Sequence, residues 1–447
     1  AGGTAFDGGT AISSDAAGNA YATGYFRGTA DFSGTMLTAG NQDVYIAKYN
    51  SGGTLQWVAD GKGTNAAIGL GIDVDAGGNV YVSGTFKDTL SFGTTEMISE
   101  GVEDIFLAKF NSSGSLIWAH QLGGTGYGYV TALAVTAAGE THLTGQFTGA
   151  LKLDAAISFN SSQTSFTDVF IAKFDASGNL TWALQEGGNS DEYSEDIAVD
   201  ASGNIYIAGY FYGTADFSGQ LLVSQALEDL YVAKYNASGI LQWIKTAGSS
   251  LSDQAFGIAV DMSGTVFVTG GSSGNVSFGP YTLTNQGNSD IIIAAYDQNG
   301  FEKWALSYGQ NGDDRGRQIQ VDNAGALRVT GTFGNTITFG AVTMPSSGPN
   351  DIFVVKLNAP TAIQEIITSD VFYAYPNPSH NLLNIPLDAG SKDVVLRLMN
   401  SFGQVLYETK EKNTGRSTID LSHYSSGIYY LQVQKGNTIS TTKVMVD

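Results

Sequence analysis

Four acidic side chains share one position of an internal repeat and could together hold a cation. Asp7, Glu192, Asp253 and Asp314 each stand eleven residues before a glycine that ends a predicted tight turn. Oxygen ligands suit Ca²⁺, which tolerates irregular coordination. The spacing therefore predicts a calcium site to which several repeats contribute. An acidic residue before a strand can also bond to its own backbone as a turn former, and the sequence leaves both interpretations open.

Aromatic side chains near the same repeat position suggest a binding surface. Tyr127, Tyr129, Tyr193 and Phe256 lie in or beside the long connections that lead into a repeat. Connections that vary between repeats are where binding residues concentrate. We predict that these side chains receive a glycan or a protein ligand, with core packing as the alternative.

Catalytic groups do not converge in the sequence. The four histidines occupy unrelated repeat positions: His120, His142, His380 and His423. They form neither a metal-ligand pattern nor a Ser–His–Asp arrangement. We therefore predict no catalytic residues and interpret the chain as a non-enzyme.

A repeat of about 61 residues must position these side chains. One anchor is an aspartate that opens an apolar run, with gaps of 61, 64, 61, 61 and 61 residues: Asp43, Asp104, Asp168, Asp229, Asp290 and Asp351. A second anchor keeps the same phase and comprises all five tryptophans: Trp57, Trp118, Trp182, Trp243 and Trp304. Six units thus occupy residues 1–358, and the sixth has no tryptophan.

Each unit reads as four antiparallel strands. In residues 196–248 the predicted strands are Asp196 to Val199, Asn204 to Phe211, Leu230 to Tyr235 and Leu241 to Ala247, with a loose connection from Gly213 to Glu228. Such a unit cannot bury both faces alone, so neighbours must stack, and six can close into a ring. We predict an all-β, six-bladed β-propeller, with an open solenoid as the alternative. The strand missing from the sixth unit would come from upstream of residue 1 or from Thr361 to Ile367.

Several positions of the unit match a known repeat. They are Gly203-Asn204, Tyr206, Gly209, Phe211, Asp229, Val232 to Tyr235, and Trp243. With these residues the region resembles the bacterial SBBP-type β-propeller repeat. The resemblance implies an architecture and no particular activity.

The C-terminal residues form a second, electrically different domain. Residues 1–368 hold 35 acids and 14 bases, whereas residues 369–447 hold 7 of each. Seven short predicted strands between residues 371 and 447 indicate a small Ig-like β-sandwich. Residues 359–370 are the predicted linker.

Short motifs in this domain include Tyr375, Pro376, Asn377, Pro378, Gly403, Gly427, Tyr429 and Lys443. With these residues the domain resembles the C-terminal sorting domain of the type IX secretion system of Bacteroidetes. We expect Gly403 and Gly427 to take positive φ in turns. The resemblance implies export to the cell surface, attachment at the outer membrane, and partners among the translocon, shuttle and sortase components of that system.

The net charge and the hydropathy of the chain argue against two classes of partner, nucleic acids and membranes. A net charge of −21 repels phosphate backbones and anionic lipid surfaces, so we predict no nucleic-acid partner and no direct membrane insertion. The predicted function is a secreted binding or adhesion protein. A glycan lyase or hydrolase built on the ring, and a structural subunit of a surface layer or filament, remain alternatives.

Overall fold

Antiparallel β-sheets make up the regular secondary structure of this chain wherever the computed structural model describes it. The described residues are 2–162, 165–322, 324–348, 350–358, 374, 379, 381–386, 394–400, 405–411, 416–435 and 438–446. They contain no helix, and thus none long and apolar enough to cross a membrane. Two compact units divide the chain, Ala1–Thr361 and Ala362–Asp447.

The first unit consists of six repeats, and the strands of each repeat pair in chain order. First strands are Gly8–Ser14, Ala67–Val74, Tyr127–Val135, Glu192–Val199, Asp253–Val260 and Arg315–Val321. Second strands are Ala20–Phe32, Val80–Phe86, Thr141–Thr148, Ile205–Phe211, Val266–Ser272 and Ala326–Phe333. Third strands are Thr35–Tyr49, Asp104–Phe110, Asp168–Phe174, Asp229–Tyr235, Asp290–Tyr296 and Asp351–Asn358. Fourth strands are Leu55–Gly63, Leu116–Leu122, Leu180–Gly188, Leu241–Ala247 and Glu302–Tyr308, and the described residues of the sixth repeat contain none.

The connection between second and third strands, predicted to be loose, is a hairpin. In repeat 4 the strands Thr214–Phe217 and Gln220–Val223 pair around a two-residue turn. Ser218 and Gly219 have φ of 52° and 88° there, the left-handed pair that a type I′ turn requires. Four other repeats have their own short hairpin strands: Thr89–Phe92 with Thr95–Ile98, Ala150–Lys152 with Ser158–Asn160, Val276–Phe278 with Tyr281–Leu283, and Thr336–Phe339 with Val342–Pro345. In repeat 1 the long second and third strands form the hairpin themselves.

Tight turns of one kind join the first and second strands, as the sequence predicts. Asp200 Oδ1 accepts hydrogen bonds from the backbone N–H of Ser202, at 2.8 Å, and of Asn204, at 3.0 Å. Gly203 takes φ of 77° within this turn. The aspartate thus satisfies amides that would otherwise lack partners, and glycine accepts the left-handed backbone without strain.

A β-bulge interrupts every first strand at the same place. In repeat 4 the pairing shifts between Ser194 and Asp196, opposite Gly209 of the second strand. A Cβ on Gly209 would overlap the carbonyl oxygen of Tyr193 and lie 2.9 Å from Tyr231 Oη. Each of the other second strands also has a glycine opposite its bulge: Gly24, Gly84, Gly145, Gly270 and Gly331. Glycine is therefore required wherever the bulged backbone approaches this closely.

Apolar side chains of adjacent repeats pack in a recurring way. Ile72 of a first strand joins one buried cluster with Val44 and Ile46 from the third strand of the preceding repeat. Ile319 does the same with Ile291 and Ile293. Burying such side chains stabilises the unit by roughly 1.5–3 kcal/mol each. Each repeat therefore supplies half of a core that its neighbour completes.

Trp57, Trp182 and Trp243 lie between repeats. Trp57 Nε1 donates a 3.0 Å hydrogen bond to the carbonyl oxygen of Ser112, and Trp243 Nε1 donates one of 3.1 Å to Gln298. Both acceptors belong to the turn between the third and fourth strands of the next repeat. The indole therefore packs and orients one repeat on the other.

The corresponding faces of the first and last repeats are exposed. Ile12 occupies the position of Ile72 but is 69% exposed, whereas Ile72 is 6% exposed. Ile352 and Val354 occupy the positions of Val44 and Ile46, and they are 82% and 74% exposed. These are the two faces that closure of a ring would bring together.

The second unit contains two small sheets around one core. Leu382–Pro386 pairs with Arg416–Asp420, and the other sheet has the order Val405–Glu411, Val394–Asn400, Gly427–Lys435, Thr438–Val446. Six of the seven predicted strands are thus present. Of the seventh, predicted from Val371 to Tyr375, only Ala374 is described, and the linker lies outside the described residues. Buried side chains from both sheets, such as Leu383 and Leu431, form a single cluster. This arrangement is that of a small β-sandwich.

Candidate functional site

At the bulge, one residue of each first strand has no partner in the register of the antiparallel pair. These bulge residues are Thr10, Leu70, Thr131, Glu195, Phe256 and Arg317. First strands of successive repeats contact each other in chain order, so neighbouring bulges are close. The residue types are unlike, although the surrounding scaffold is nearly uniform. Bulges often re-aim a side chain beside a functional site, which makes this position the candidate site.

Aromatic and charged side chains converge on the bulges of repeats 4 to 6. The rings of Tyr193 and Tyr210 stack with centroids 4.9 Å apart, at 27°. Tyr210 meets Phe256 edge-on at 6.4 Å, and the Arg317 guanidinium carbon lies 4.4 Å from the centroid of the Phe256 ring. We call this group the bulge cluster; its members are Tyr193, Tyr210, Phe256, Arg317 and Glu195.

Glu195 is the acidic member of the cluster. Burial raises the pKa of its carboxyl group, while the charge of Arg317 and a hydrogen bond from Tyr210 act in the opposite direction. The cluster therefore offers a carboxyl group, a phenol, a guanidinium and aromatic faces within one small area. Such groups suit a ligand with both ring faces and polar edges, as sugars and peptides have.

The four predicted aromatic residues fall into two groups. Tyr193 and Phe256 belong to the bulge cluster through Tyr210. Tyr127 and Tyr129 stack on each other in repeat 3, with centroids 6.1 Å apart and planes at 9°. The charges of Glu103 and Glu195 both contribute to raising the pKa of Tyr129, after burial. Ligand binding by all four stays a prediction.

The four predicted calcium ligands each accept a hydrogen bond from a nearby backbone amide. Asp7 accepts from the N–H of Gly3 at 2.6 Å, and Glu192 from that of Gly188 at 3.1 Å. Asp253 accepts from the N–H of Ser249 at 2.5 Å, and Asp314 from that of Gln310 at 3.2 Å. Every donor is four residues upstream. This is the turn-former role that the sequence left open.

The raised pKa values of three of these carboxyl groups also disfavour a site in which several ionised carboxylates surround a cation. Burial raises the pKa of Glu192 to about 9, and the charge of Asp168 acts in the same direction. Burial likewise raises the pKa of Asp253 and of Asp314. Within the described part of the chain, no three acidic or histidine side chains lie close enough to hold a metal ion. The calcium site therefore stays a prediction that this placement does not support.

Three members of the cluster were not among the predicted ligand residues, namely Glu195, Tyr210 and Arg317. Their signal is in the alignment of the repeats, because positions 195 and 317 are equivalent to Phe256. This position changes type between units, whereas the residue before it is glycine, alanine or serine in five of the six units. A bulge cannot be recognised from alternation alone, because one extra residue shifts the phase of the strand.

The sorting-motif residues are only partly described. Tyr375, Pro376, Asn377, Pro378 and Gly403 lie outside the described residues. Gly427 begins the strand Gly427–Lys435, and its φ is not positive, so the predicted turn role is wrong there. The residue pairs with Val446 in the ladder instead.

Tyr429 and Lys443 both belong to that sheet. Tyr429 Oη donates a 2.8 Å hydrogen bond to the carbonyl oxygen of Ser425, which fixes the turn before the strand. Lys443 lies on the neighbouring strand, in register with Tyr430, and its side chain is exposed. Both positions lie on the sheet formed by the last two strands.

Comparison with known families identifies the end of the chain. Residues 373–447 match the secretion system C-terminal sorting domain. This domain marks proteins that the type IX system secretes to the cell surface or the extracellular space. The chain is therefore a secreted protein with a C-terminal sorting domain that interacts with the type IX secretion machinery.

Curated relatives resemble the chain over part of their length. An uncharacterised WD repeat-containing protein of Acanthamoeba polyphaga mimivirus is 22% identical over 359 residues, covering 65% of this chain and 26% of that protein. Regulatory protein FlaEY of Caulobacter vibrioides is 24% identical over 307 residues, covering 63% of this chain and 32% of that protein. The chain thus spans about a third or less of the length of these relatives.

Solved structures give weaker matches. The extracellular domain of the hybrid two-component system BT3049 from B. thetaiotaomicron is 10% identical, with a TM-score of 0.16 over 98% of this chain and 84% of that one. Dimeric latent PorU from Porphyromonas gingivalis is 11% identical, with a TM-score of 0.15 over 68% and 34%. Neither score supports a fold assignment, which rests on the strand pairing itself.

Proposed function

We propose that this is a secreted cell-surface binding or adhesion protein, with an SBBP-type six-bladed propeller that presents the bulge cluster and a sorting domain that delivers it. The observation that carries the proposal is the contrast between uniform repeats and unlike residues at one bulge position. A scaffold needs uniform contacts, whereas recognition needs different groups close together.

The propeller is the proposed arrangement of the six repeats. Each repeat is a mostly four-stranded antiparallel sheet, first strands of successive repeats meet, and each sheet packs on the next. WD repeats, from which the mimivirus relative takes its name, form propeller blades. In the closed ring, Ile12 packs against Ile352 and Val354, as Ile72 packs against Val44 and Ile46.

Cysteine cross-linking tests closure, because the sequence contains no cysteine. We expect Ile12→Cys with Val354→Cys to be joined within one chain by a short bifunctional thiol reagent. The internal pair Ile72→Cys with Ile46→Cys, at an equivalent junction, is the positive control. Products are assigned by mass spectrometry and by size under denaturing conditions.

Each other outcome contradicts the ring. Cross-links only between chains would indicate end-to-end association, the behaviour of a surface-layer or filament subunit. Absence of cross-links, with the internal pair still reacting, would indicate an open array.

The ligand proposed for the bulge cluster is a glycan or a peptide. Aromatic faces such as Phe256 stack on sugar rings or peptide side chains, while Arg317 and Glu195 provide charged hydrogen-bonding groups. The overall negative charge of −21 favours neutral or basic ligands.

An array experiment on the full chain tests this site. We expect binding to a subset of glycans or peptides, and a loss of about tenfold or more with Phe256→Ala, because removal of a central aromatic contact costs about 2 kcal/mol or more and about 1.4 kcal/mol corresponds to tenfold. Phe301→Ala, an exposed aromatic residue at a turn, is the matched control. Arrays with and without Ca²⁺ test the calcium prediction in parallel. Unchanged binding by Phe256→Ala would place the ligand elsewhere.

An enzyme is the second candidate, because an acid, a phenol and a guanidinium meet in the bulge cluster. Glu195 with its raised pKa and Tyr210 could act as general acid and base in cleavage of a glycan. Product formation in the same glycan panel, lost in a Glu195→Gln variant, would favour this function over simple binding.

Export through the type IX system also implies particular partners. We infer that the translocon, a shuttle and a sortase recognise the sorting domain, and that cleavage falls in the linker at residues 359–370. The match of residues 373–447 to the sorting domain supports this inference.

A further inference from the structure

A cavity at the junction of repeats 4 and 5 lies beside a break in the repeat pattern. Five second strands place a buried phenylalanine opposite the aspartate that opens the third strand: Phe26, Phe86, Phe147, Phe211 and Phe333. In repeat 5 the equivalent residue is Ser272, preceded by Gly271. At other junctions this ring packs in the apolar cluster shared with the preceding repeat, as Phe86 and Phe211 do. That ring is missing here, where Ser272 directly precedes Ser273 of the cavity lining.

The pairing between adjacent repeats is also absent at this junction. At three junctions the end of a fourth strand, or the residue after it, pairs with the hairpin of the next repeat, as Gly187 and Gly188 do with Asp216 and Ala215. The hairpin of repeat 6 lacks this pairing as well among the described residues. In repeat 5 the strand Val276–Phe278 pairs only with the other strand of its own hairpin. A cavity of about 790 Å³ lies between the two repeats, within the size range of small-ligand sites.

The lining is polar, and among the described residues that form it none is aromatic or cationic. Its hydrogen-bonding groups include the side chains of Asp229, Thr246, Ser249, Ser273, Asn275 and Asn285. A carboxylate without a neighbouring cation disfavours anions. Hydroxyl and amide groups beside a carboxylate can both donate to and accept from the hydroxyls of a neutral sugar.

Asp229 is the charged group of the site. It is 4% exposed, and its Oδ2 accepts a 3.2 Å hydrogen bond from the N–H of Gln225. Its Oδ1 has no hydrogen-bond partner, which is unfavourable for a buried carboxylate. Asp104 and Asp290 have the same unpartnered oxygen but do not line this cavity, so they are matched controls.

We propose that the cavity between repeats 4 and 5 binds a neutral hexose unit, with Asp229 accepting hydrogen bonds from sugar hydroxyls. The inference deepens the proposed binding function, because it names a ligand class and a second site beside the bulge cluster. No two further acids lie near enough to Asp229 to complete a metal site among the described residues, which disfavours a cation as the occupant.

Saturation-transfer NMR on the full chain tests the proposal with glucose, galactose, mannose and N-acetylglucosamine as probes. We expect at least one hexose to bind. Ser272→Phe restores the ring of the other repeats, and the pairing of Glu192 with Phe211, equivalent to that of Asp253 with Ser272, shows that this ring coexists with the neighbouring acid. That variant should abolish binding while thermal unfolding shows an intact fold.

A second pair of variants keeps the test decisive if Ser272→Phe does not fold. Asp229→Asn should weaken hexose binding about tenfold or more, because a hydrogen bond to a charged group is lost, and Asp290→Asn should not. Equal effects of the two variants, no hexose binding to the native chain, or binding of Ca²⁺ alone at this cavity would each overturn the proposal. Hexose binding that Phe256→Ala abolishes and Ser272→Phe does not would place the sugar at the bulge cluster, which leaves the proposed function intact.

Discussion

At pH 8 we expect the Glu192→Gln variant to be more stable than the native chain, by an amount on the order of 3 kcal/mol or more. Glu192 is fully buried, and burial raises its pKa to about 9 in the folded protein. In the unfolded chain the group titrates near its ordinary value of 4.5. At pH 8 unfolding therefore releases a proton, which favours the unfolded state. Glutamine has nearly the same shape and does not titrate.

The direction of the pH dependence of stability follows from the number of protons that each state binds. Between pH 4.5 and about 9 the folded state binds more protons at this site than the unfolded state, so the stability falls as the pH rises. Below pH 4.5 both states are protonated and the contribution is constant. Urea unfolding at pH 5 and pH 8 measures the slope. Asp196, whose pKa burial raises to about 7, adds a slope of the same sign, so the variant should have a smaller slope and not a zero one.

A matched control replaces an exposed acid in repeat 2. Glu96 is exposed on a hairpin strand, and Glu96→Gln should leave the pH dependence of stability unchanged. If Glu192→Gln and the native chain lose equal stability between pH 5 and pH 8, then Glu192 is ionised in the folded protein and the account of its burial is wrong.

Replacing Gly209 by alanine should destabilise the repeat unit by about 3 kcal/mol or more, the upper range for overpacking a well-filled site. The added Cβ would overlap the carbonyl oxygen of Tyr193 on the bulged strand. That atom is part of the backbone and cannot rotate away. Relief requires the bulge to move, and with it Glu195 of the bulge cluster.

Chemical denaturation measures this loss, and Gly40→Ala is the control. Gly40 also lies in a strand, but a Cβ there meets no heavy atom within 4 Å. Its replacement should be neutral or slightly stabilising, because alanine has less freedom than glycine in the unfolded chain. A small effect at Gly209 would mean that the bulge is adaptable and that glycine is not required opposite it.

Much of the strand pattern could be predicted because two anchors mark its phase. Asp229 and Trp243 lie in the strands Asp229–Tyr235 and Leu241–Ala247, close to the predicted bounds. The first strand of that repeat begins at Glu192, four residues before the prediction, because the bulge at Glu195 breaks the alternation on which the prediction depends. The hairpin at Ser218 was missed because a serine at positive φ gives little warning in sequence.

The candidate site was less predictable, for a related reason. Acidic residues such as Asp253 and Asp314 attract attention as cation ligands, yet in the structure their oxygens accept hydrogen bonds from nearby backbone amides. Those bonds depend on loop geometry that spacing does not reveal. Comparing equivalent positions between repeats is the better guide, because Ser272 and Arg317 both stand out as departures from an otherwise regular pattern.

The junctions between repeats have a consequence for how such a chain can evolve. The junctions reuse one pair of apolar faces, and three of them share an indole-to-turn hydrogen bond, from Trp57, Trp182 or Trp243. A duplicated unit inserted at any junction would find complementary surfaces on both sides. Copy number can therefore grow or shrink by whole units, while an insertion of part of a unit would leave one face without a counterpart.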